Sequence, residues 1–351
     1  MRIAYLFAKQ HKQVNSKILC TFANSKEKYV EQKKQTMKNL FVPFRRWFLL
    51  FLFSAVCLLT IPCWAKKNPN FSDRSQDNLF EKVKNVQIME YSVVIQNEKI
   101  QKGEVVMRTV KSYNREGYIT ENTEFDADNA VLQQEISIFD KKGNKIEELL
   151  YNENNELEQY TKIKYNPQNL PVQTVSQDSK GRKIQRFTYR YDERGNLTQL
   201  TGYDDRGKMS EKSYYSYDPH GNLIKYLGFG QFDNRKIYYK YDPQHKLTEQ
   251  FCTDIKNNFM EKIIYQYKND GKWEERTFTD ANNQVLSTLV YVYDDYANLL
   301  KFVRFDKDGV VTEQHEFTYQ YDKNNNWIQQ IFYSGTEKTV ISITERGLEY
   351  Y

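Results

Sequence analysis

Few residues of this chain could carry covalent or metal chemistry. Beyond residue 65 there are three histidines, His220, His245 and His315, and one cysteine, Cys252. A nucleophile needs a base within reach, and a zinc site needs Cys or His ligands at short spacing. No His pair stands at ligand spacing. No Gly-x-Ser-x-Gly and no Gly-rich phosphate loop occurs. His220 and His245 fall in turns, and His315 alternates within a strand. Asp306-Lys307-Asp308-Gly309 and Asp294-Asp295 offer carboxylates, but a calcium loop gathers six or more oxygens, and turn capping already accounts for these aspartates. The reading is no enzyme, no cofactor and no metal. Cys252 reads as a small buried apolar residue rather than a reactive thiol.

The residues that could bind something are tyrosines. Tyr189, Tyr215, Tyr239, Tyr265, Tyr291 and Tyr319 recur two positions before a second tyrosine, as in Tyr189-x-Tyr191 and Tyr319-x-Tyr321. A tyrosine ring is apolar with a polar tip, so such a ladder could make a flat stripe for a sugar or a peptide. It could equally be a packing stripe within one sheet, and both readings stay open.

The second tyrosine belongs to a repeat. Starting from Tyr191, aromatic or related anchors recur at steps of 12 and 14 residues, from Tyr113 to Tyr321, with exceptions of 24 between Tyr217 and Tyr241 and 16 between Phe305 and Tyr321. Asp or Asn follows the anchor, Lys268 after Tyr267 being the departure. Four residues past the anchor stands Gly in eight copies and Asn in six, with His245 and Ala297 in the other two. An Asx side chain can start a turn by bonding the backbone two residues on. A type I turn closed by a residue at positive φ makes a bulged hairpin. Gly takes that conformation freely and Asn is the next best. Between turns the residues alternate, with aromatic and β-branched types, which is a strand signature. Leu197, Leu223, Leu247, Trp273, Leu299 and Trp327 stand where they can pair with the anchor across the hairpin.

The fold class this predicts is all-β: an antiparallel meander of tandem hairpins with a 26-residue double repeat. About eighteen strands must coil, curl or close. The expectation is one long curled sheet, half-barrel or solenoid-like, with almost no helix and each hairpin resting on its neighbours. Residues 79–112 read as an N-terminal capping hairpin, 113–335 as the repeats and 336–351 as closing strands. Gly228-Phe229-Gly230-Gln231-Phe232-Asp233 reads as a bulge or bend.

Upstream, residues 1–36 are polar and basic. Met37 opens a run with Arg45 and Arg46, a long apolar stretch from Trp47 to Pro62, and Cys63-Trp64-Ala65. That pattern is a secretory signal peptide over 37–65, with 1–36 as upstream translation and 66–78 as a flexible linker. An uncleaved anchor is the alternative. The segment to Ala65 has eleven Lys and Arg against two Glu, a balance of +9, so from the overall +5 the remainder is near −4. The basic character belongs to the leader, which argues against a nucleic-acid partner. Cys252 alone after the leader allows no internal disulfide, whatever the export destination.

The motif Tyr-Asp-x-x-Gly-Asn-Leu, complete at Tyr191–Leu197 and Tyr217–Leu223, resembles the YD repeat of RHS-type bacterial proteins over about residues 113–321. The resemblance implies a β-sheet shell or surface-exposed β structure, in some members linked to carbohydrate. The expected function is an exported, non-enzymatic scaffold of the bacterial envelope or surface that binds a glycan or an envelope component. The alternative is a protein–protein or adhesion scaffold working through sheet edges or faces. The expected localisation is secreted, periplasmic or cell-surface, with membrane contact only through the signal segment if it is retained.

Overall fold

The computed structural model describes residues 72–230, 233–268 and 271–351. The expected upstream segment (1–36), the expected signal peptide (37–65) and residues 66–71 lie outside the described residues. One short helix, α1 (Asp73–Gln76), precedes twenty antiparallel strands, from β1 (Val83–Gln96) and β2 (Lys99–Tyr113) to β20 (Thr339–Tyr350). Each strand pairs with the next along the chain.

The turns form as their residues dictate. All sixteen Gly, Asn, His or Ala slots have positive φ, from +59° at Asn155 to +93° at Gly117. At Asp192 the carboxylate Oδ1 accepts from Arg194 N at 3.0 Å and Asn196 N at 2.8 Å, and Gly195 N donates to Asp192 O at 3.0 Å. The carboxylate thus reaches four residues on as well as two. A register shift follows where Tyr191 pairs with Leu197, and the same anchor pairing recurs at Tyr217 with Leu223, Tyr241 with Leu247, Tyr293 with Leu299 and Tyr321 with Trp327. The copy with Lys268 in place of Asp differs. Its pairing continues without a shift to Lys268 opposite Trp273, so the strand runs one residue further than in the copies with Asp or Asn.

Backbone strain separates the slots. Gly207 sits at φ +77° in open space, where an added Cβ would meet nothing within 4 Å, whereas Ala297 holds φ +61° with a Cβ. The left-handed conformation costs an L-residue roughly 1–2 kcal/mol, part of which glycine's extra chain entropy offsets. Ala297→Gly is therefore expected to stabilise the fold by about 0.5–1 kcal/mol, and Gly207→Ala to destabilise it by about as much, in denaturant melts.

The sheet is closed, where the sequence suggests a half-barrel or solenoid. β1 pairs with β20 from Val83 opposite Tyr350 to Tyr91 opposite Ile343. The hairpin over 79–112 is thus not a terminal cap but half of the seam, and β20 is one closing strand. Closure satisfies the backbone groups that both ends would otherwise expose. The weakest pairing joins β11 (Leu223–Gly230) to β12 (Arg235–Tyr241), only Lys225–Tyr238 to Leu227–Lys236, at the Gly-rich irregularity.

Residues 72–78, the described part of the expected 66–78 linker, also depart from expectation, being docked with 79–82 rather than free. Arg74 N donates to Gly117 O, and Asn78 Nδ2 to Ala297 O at 3.1 Å. Asp77 takes Lys111 Nζ at 2.7 Å and the Tyr113 hydroxyl, and Asn326 bonds both Phe80 N and Phe80 O. Leu79 packs with Val83, Val86 and Tyr113. This strap shows which way the sheet bends. Along the sheet, the turn at 114–118 and the turn at 294–298 are six strand spacings apart, about 29 Å. Arg74 and Asn78 are four residues apart, at most about 14 Å. A chord that short on the Tyr113 side makes that face the concave one.

Candidate functional site

Side chains alternate across each strand, so register fixes which face every residue shares. The pairs Tyr226–Ile237, Ile237–Cys252 and Tyr239–Gln250 lie on the Tyr113-type face, and their neighbours Lys225, Tyr238 and Phe251 on the other. All six ladder tyrosines fall on the concave face. Tyr239 and Tyr265 are buried and the other four half-buried. The anchors divide: Tyr191 and its equivalents at the ends of the longer steps face inward, whereas Tyr203, opposite Arg186, faces outward.

The ladder is held in place by hydrogen bonds and rings. Tyr319 OH donates to Leu299 O at 2.9 Å and accepts from Gln330 Nε2 at 2.9 Å. Tyr189 OH meets Thr174 Oγ1 at 3.2 Å, and the Tyr215 ring lies 5.4 Å from that of Tyr226. The Arg276 guanidinium stands over Tyr291 at 4.7 Å and Tyr265 at 5.8 Å. Desolvation pushes the ladder phenols up, to about 12 for Tyr215, Tyr265 and Tyr319, so at neutral pH they are protonated donors.

Beneath the ladder, the anchor hydroxyls clamp the sheet. Tyr165 OH donates to Lys145 O, Tyr191 OH to Pro171 O and Tyr217 OH to Leu197 O, at 2.7 to 2.9 Å and each 20 residues back. Each phenol therefore lies across its neighbours and ties one hairpin to the bulge of the preceding one. Tyr241 OH does the same to Leu223 O at 2.8 Å, 18 residues back across the shortened step, and sequence reading missed this role although the offset from Tyr to the residue after a turn was present to be found.

It also missed how far the aromatic wall extends. Tyr291 lies 5.3 Å from Phe302, Phe302 is 5.6 Å from His315 and stacked at 17°, and His315 is 5.2 Å from Phe332. His315 Nε2 meets Glu313 Oε1 at 2.9 Å, and Glu313 also takes Arg304 Nε at 3.1 Å. The remaining candidates are placed elsewhere. His245 holds φ +64° in its turn, its ring 4.7 Å from that of His220. Cys252 is buried and desolvation raises its thiol, which disfavours the reactive thiolate. Asp306 Oδ1 caps its turn through Asp308 N and Val310 N, and Asp294 does the same through Tyr296 N and Asn298 N.

The fold defines a closed barrel of tandem β-hairpins with an aromatic concave wall. No protein-family model matches the chain, and no curated protein matches it. Among solved structures, a porin-like protein from Bacteroides uniformis aligns with 76% of this chain and 96% of its own at 11% identity and a TM-score of 0.33. A porin-like protein from Bacteroides vulgatus aligns with 77% and 99% at 12% identity, TM-score 0.21. The TcdB2-TccC3-Cdc42 structure aligns with 74% of this chain at 13% identity, TM-score 0.31, and the chain spans 16% of that one's length. Likeness this slight carries no weight, and the fold stands on its own strand pairing.

Proposed function

We propose that this chain is an exported, non-enzymatic β-barrel scaffold of the bacterial cell envelope or surface, and that it binds a glycan through its concave tyrosine wall. The observation that carries the reading is the shared placement of Tyr189, Tyr215, Tyr239, Tyr265, Tyr291 and Tyr319 on one concave face, with protonated hydroxyls beside ring surfaces. The half-buried rings of Tyr189, Tyr215, Tyr291 and Tyr319 keep an accessible side that suits the apolar faces of sugars, and phenol tips suit their hydroxyls. The signal-like segment over 37–65 and the YD-like repeats support export. The alternative of strand addition at sheet edges loses its footing, because the β1–β20 pairing leaves no free edge there.

The barrel is read as water-exposed outside. Its convex face carries Arg186, Arg190, Lys240 and Lys262 within strands. Each Arg or Lys facing lipid at the bilayer midplane costs about 2–4 kcal/mol. On an array of neutral and acidic glycans, the protein is expected to bind a subset. Tyr291→Ala and Tyr319→Ala together are expected to weaken that binding by about tenfold or more, the equivalent of one lost stacking contact. An array without signal, or binding indifferent to the ladder in a folded variant, refutes a glycan site on this wall.

A further inference from the structure

The convex face of β11, β12, β13 (Leu247–Asp254) and β14 (Phe259–Lys268) carries a pattern that the concave wall does not explain. Register places Lys225 opposite Tyr238, Tyr238 opposite Phe251 and Phe251 opposite Lys262. One row across four strands thus reads Lys, Tyr, Phe, Lys. Its ends are three strand spacings apart, about 14 Å. The Tyr238 and Phe251 rings are 6.5 Å apart, and Tyr238 is 37% exposed against 7% for Tyr239 on the other face. Phe259 adds a third ring 5.8 Å from Phe251. Together they line a groove of about 450 Å³ with Asp280, Ala281 and Asn283 of the next turn.

The charges around the groove do not balance. Glu249 is shared by Lys240 at 2.8 Å and Lys262 at 3.5 Å. Lys225 lies over the Tyr238 ring, 5.5 Å from its centroid, rather than against a carboxylate. Lys236 bonds the side-chain oxygen of Asn257. Asp280 is occupied in capping its turn through Asn282 N and Gln284 N. The lining itself sets Lys240 and Lys262 against Glu249 and Asp280, and the excess of positive charge comes from Lys225 and Lys236, which flank Tyr238 on the same face of a chain that is net acidic beyond residue 65. Glu249 and Asn283 hold Lys262 in place, which lowers the entropy lost on binding.

We infer that this groove binds an acidic polysaccharide, one bearing uronate or similar anionic groups, with sugar rings over Tyr238 and Phe251 and their anions between Lys225 and Lys262. Flat rings flanked by ammonium groups match a pyranose carrying a carboxylate, and the local excess of positive charge excludes a neutral chain as the preferred occupant. The inference rests on the reading that the ligands of this exported chain are saccharides, and it adds a second surface to the concave wall.

Titrating the full chain with polygalacturonate oligomers, and with neutral maltooligosaccharides of the same length, tests it. The acidic oligomer is expected to bind at least about tenfold more tightly, and more weakly as salt rises. Lys225→Gln with Lys262→Gln is expected to remove about tenfold or more of that affinity, while the exposed Lys99→Gln serves as a surface control. An unchanged β circular dichroism spectrum and melting midpoint shows that the double variant is folded. Equal affinity for the neutral oligomer, or binding unaffected by the folded double variant, overturns the inference. So does polyglutamate bound equally well with the same lysine dependence, since the groove would then select peptide. Binding lost only in the tyrosine-wall variants overturns this groove and leaves the proposed function standing. Binding of no saccharide overturns both.

Discussion

Ile88→Pro is expected to cost at least about 3 kcal/mol and to promote concentration-dependent association beyond that of the parent protein. Ile88 pairs with Thr109 on one side and with Arg346 on the other, so β1 is an interior strand of a closed sheet. A proline there removes a ladder donor and clashes with its neighbours, a loss of roughly 3 kcal/mol or more inside regular structure. The opened seam would expose two long unpaired edges, which template association. Val94→Pro is the matched comparison. Val94 pairs only with Gln101, beyond the last residue that meets β20, and is 47% exposed. Its cost is expected to be less than half as large. Equal costs in urea melts would mean that β1 is an edge and that the sheet is open. Cysteines at the directly opposed Met89 and Glu345 give an independent check. Once oxidised they are expected to raise stability by about 3–5 kcal/mol, because they close most of the chain into one loop.

Closure was the feature least legible in the sequence, and the reason is physical. A turn announces itself locally: the Asp192 carboxylate, the Gly195 slot and the Tyr191–Leu197 pair lie within seven residues, and each obeys its own steric rule. The seam joins residues some 260 apart. Val86 and Ile88 alternate like any other strand, as do Leu348 and Tyr350. Nothing in either stretch names its partner, and only the demand to bury two edges brings them together. The strap was misread for a related reason. Ser72, Asp73, Arg74 and Asp77 look like a solvated linker until their partners Gly117, Lys111, Tyr113 and Arg346 are supplied by distant strands. The tyrosine ladder lies between these cases. Its common face follows from period two, and its concavity from the strap alone. The alternation of 12 and 14 residues now has a cause. Each bulge re-phases the pleat, so successive anchors, such as Tyr191 and Tyr203, present to opposite faces.

Acidification from pH 7 is expected first to stabilise the barrel and then to unfold it, since two sets of carboxyls pull in opposite directions. Glu135, Glu211 and Glu261 lie on the concave face, and desolvation raises each above its ordinary 4.5, with Glu148 adding repulsion at Glu135 and Asp233 at Glu211. A carboxyl raised in the folded state is easier to ionise when unfolded, so its charge subtracts stability at pH 7. That stability returns as pH falls through the folded value, and is complete below 4.5. The turn caps behave oppositely. At Asp254 the hydrogen bonds from Asn258 hold the carboxyl below its ordinary 3.8; at Asp192 slight desolvation is outweighed by bonds from Asn196 and Arg194. Their contribution is present above 3.8 and disappears as pH falls through the lower folded values. The melting midpoint should therefore rise as pH falls from 7 towards 4.5, pass a maximum, and drop below 3.8. The triple variant Glu135→Gln, Glu211→Gln, Glu261→Gln should flatten the upper limb and melt higher at pH 7. A gain of about 1 kcal/mol corresponds to about 2–4 °C in a chain of this size. Asp192→Ala with Asp254→Ala should instead lower the midpoint at pH 7 and soften the acid limb. A midpoint that falls monotonically from pH 7, with the triple variant parallel to the parent, would mean that the three glutamates are hydrated and that the concave face is open to water at their depth.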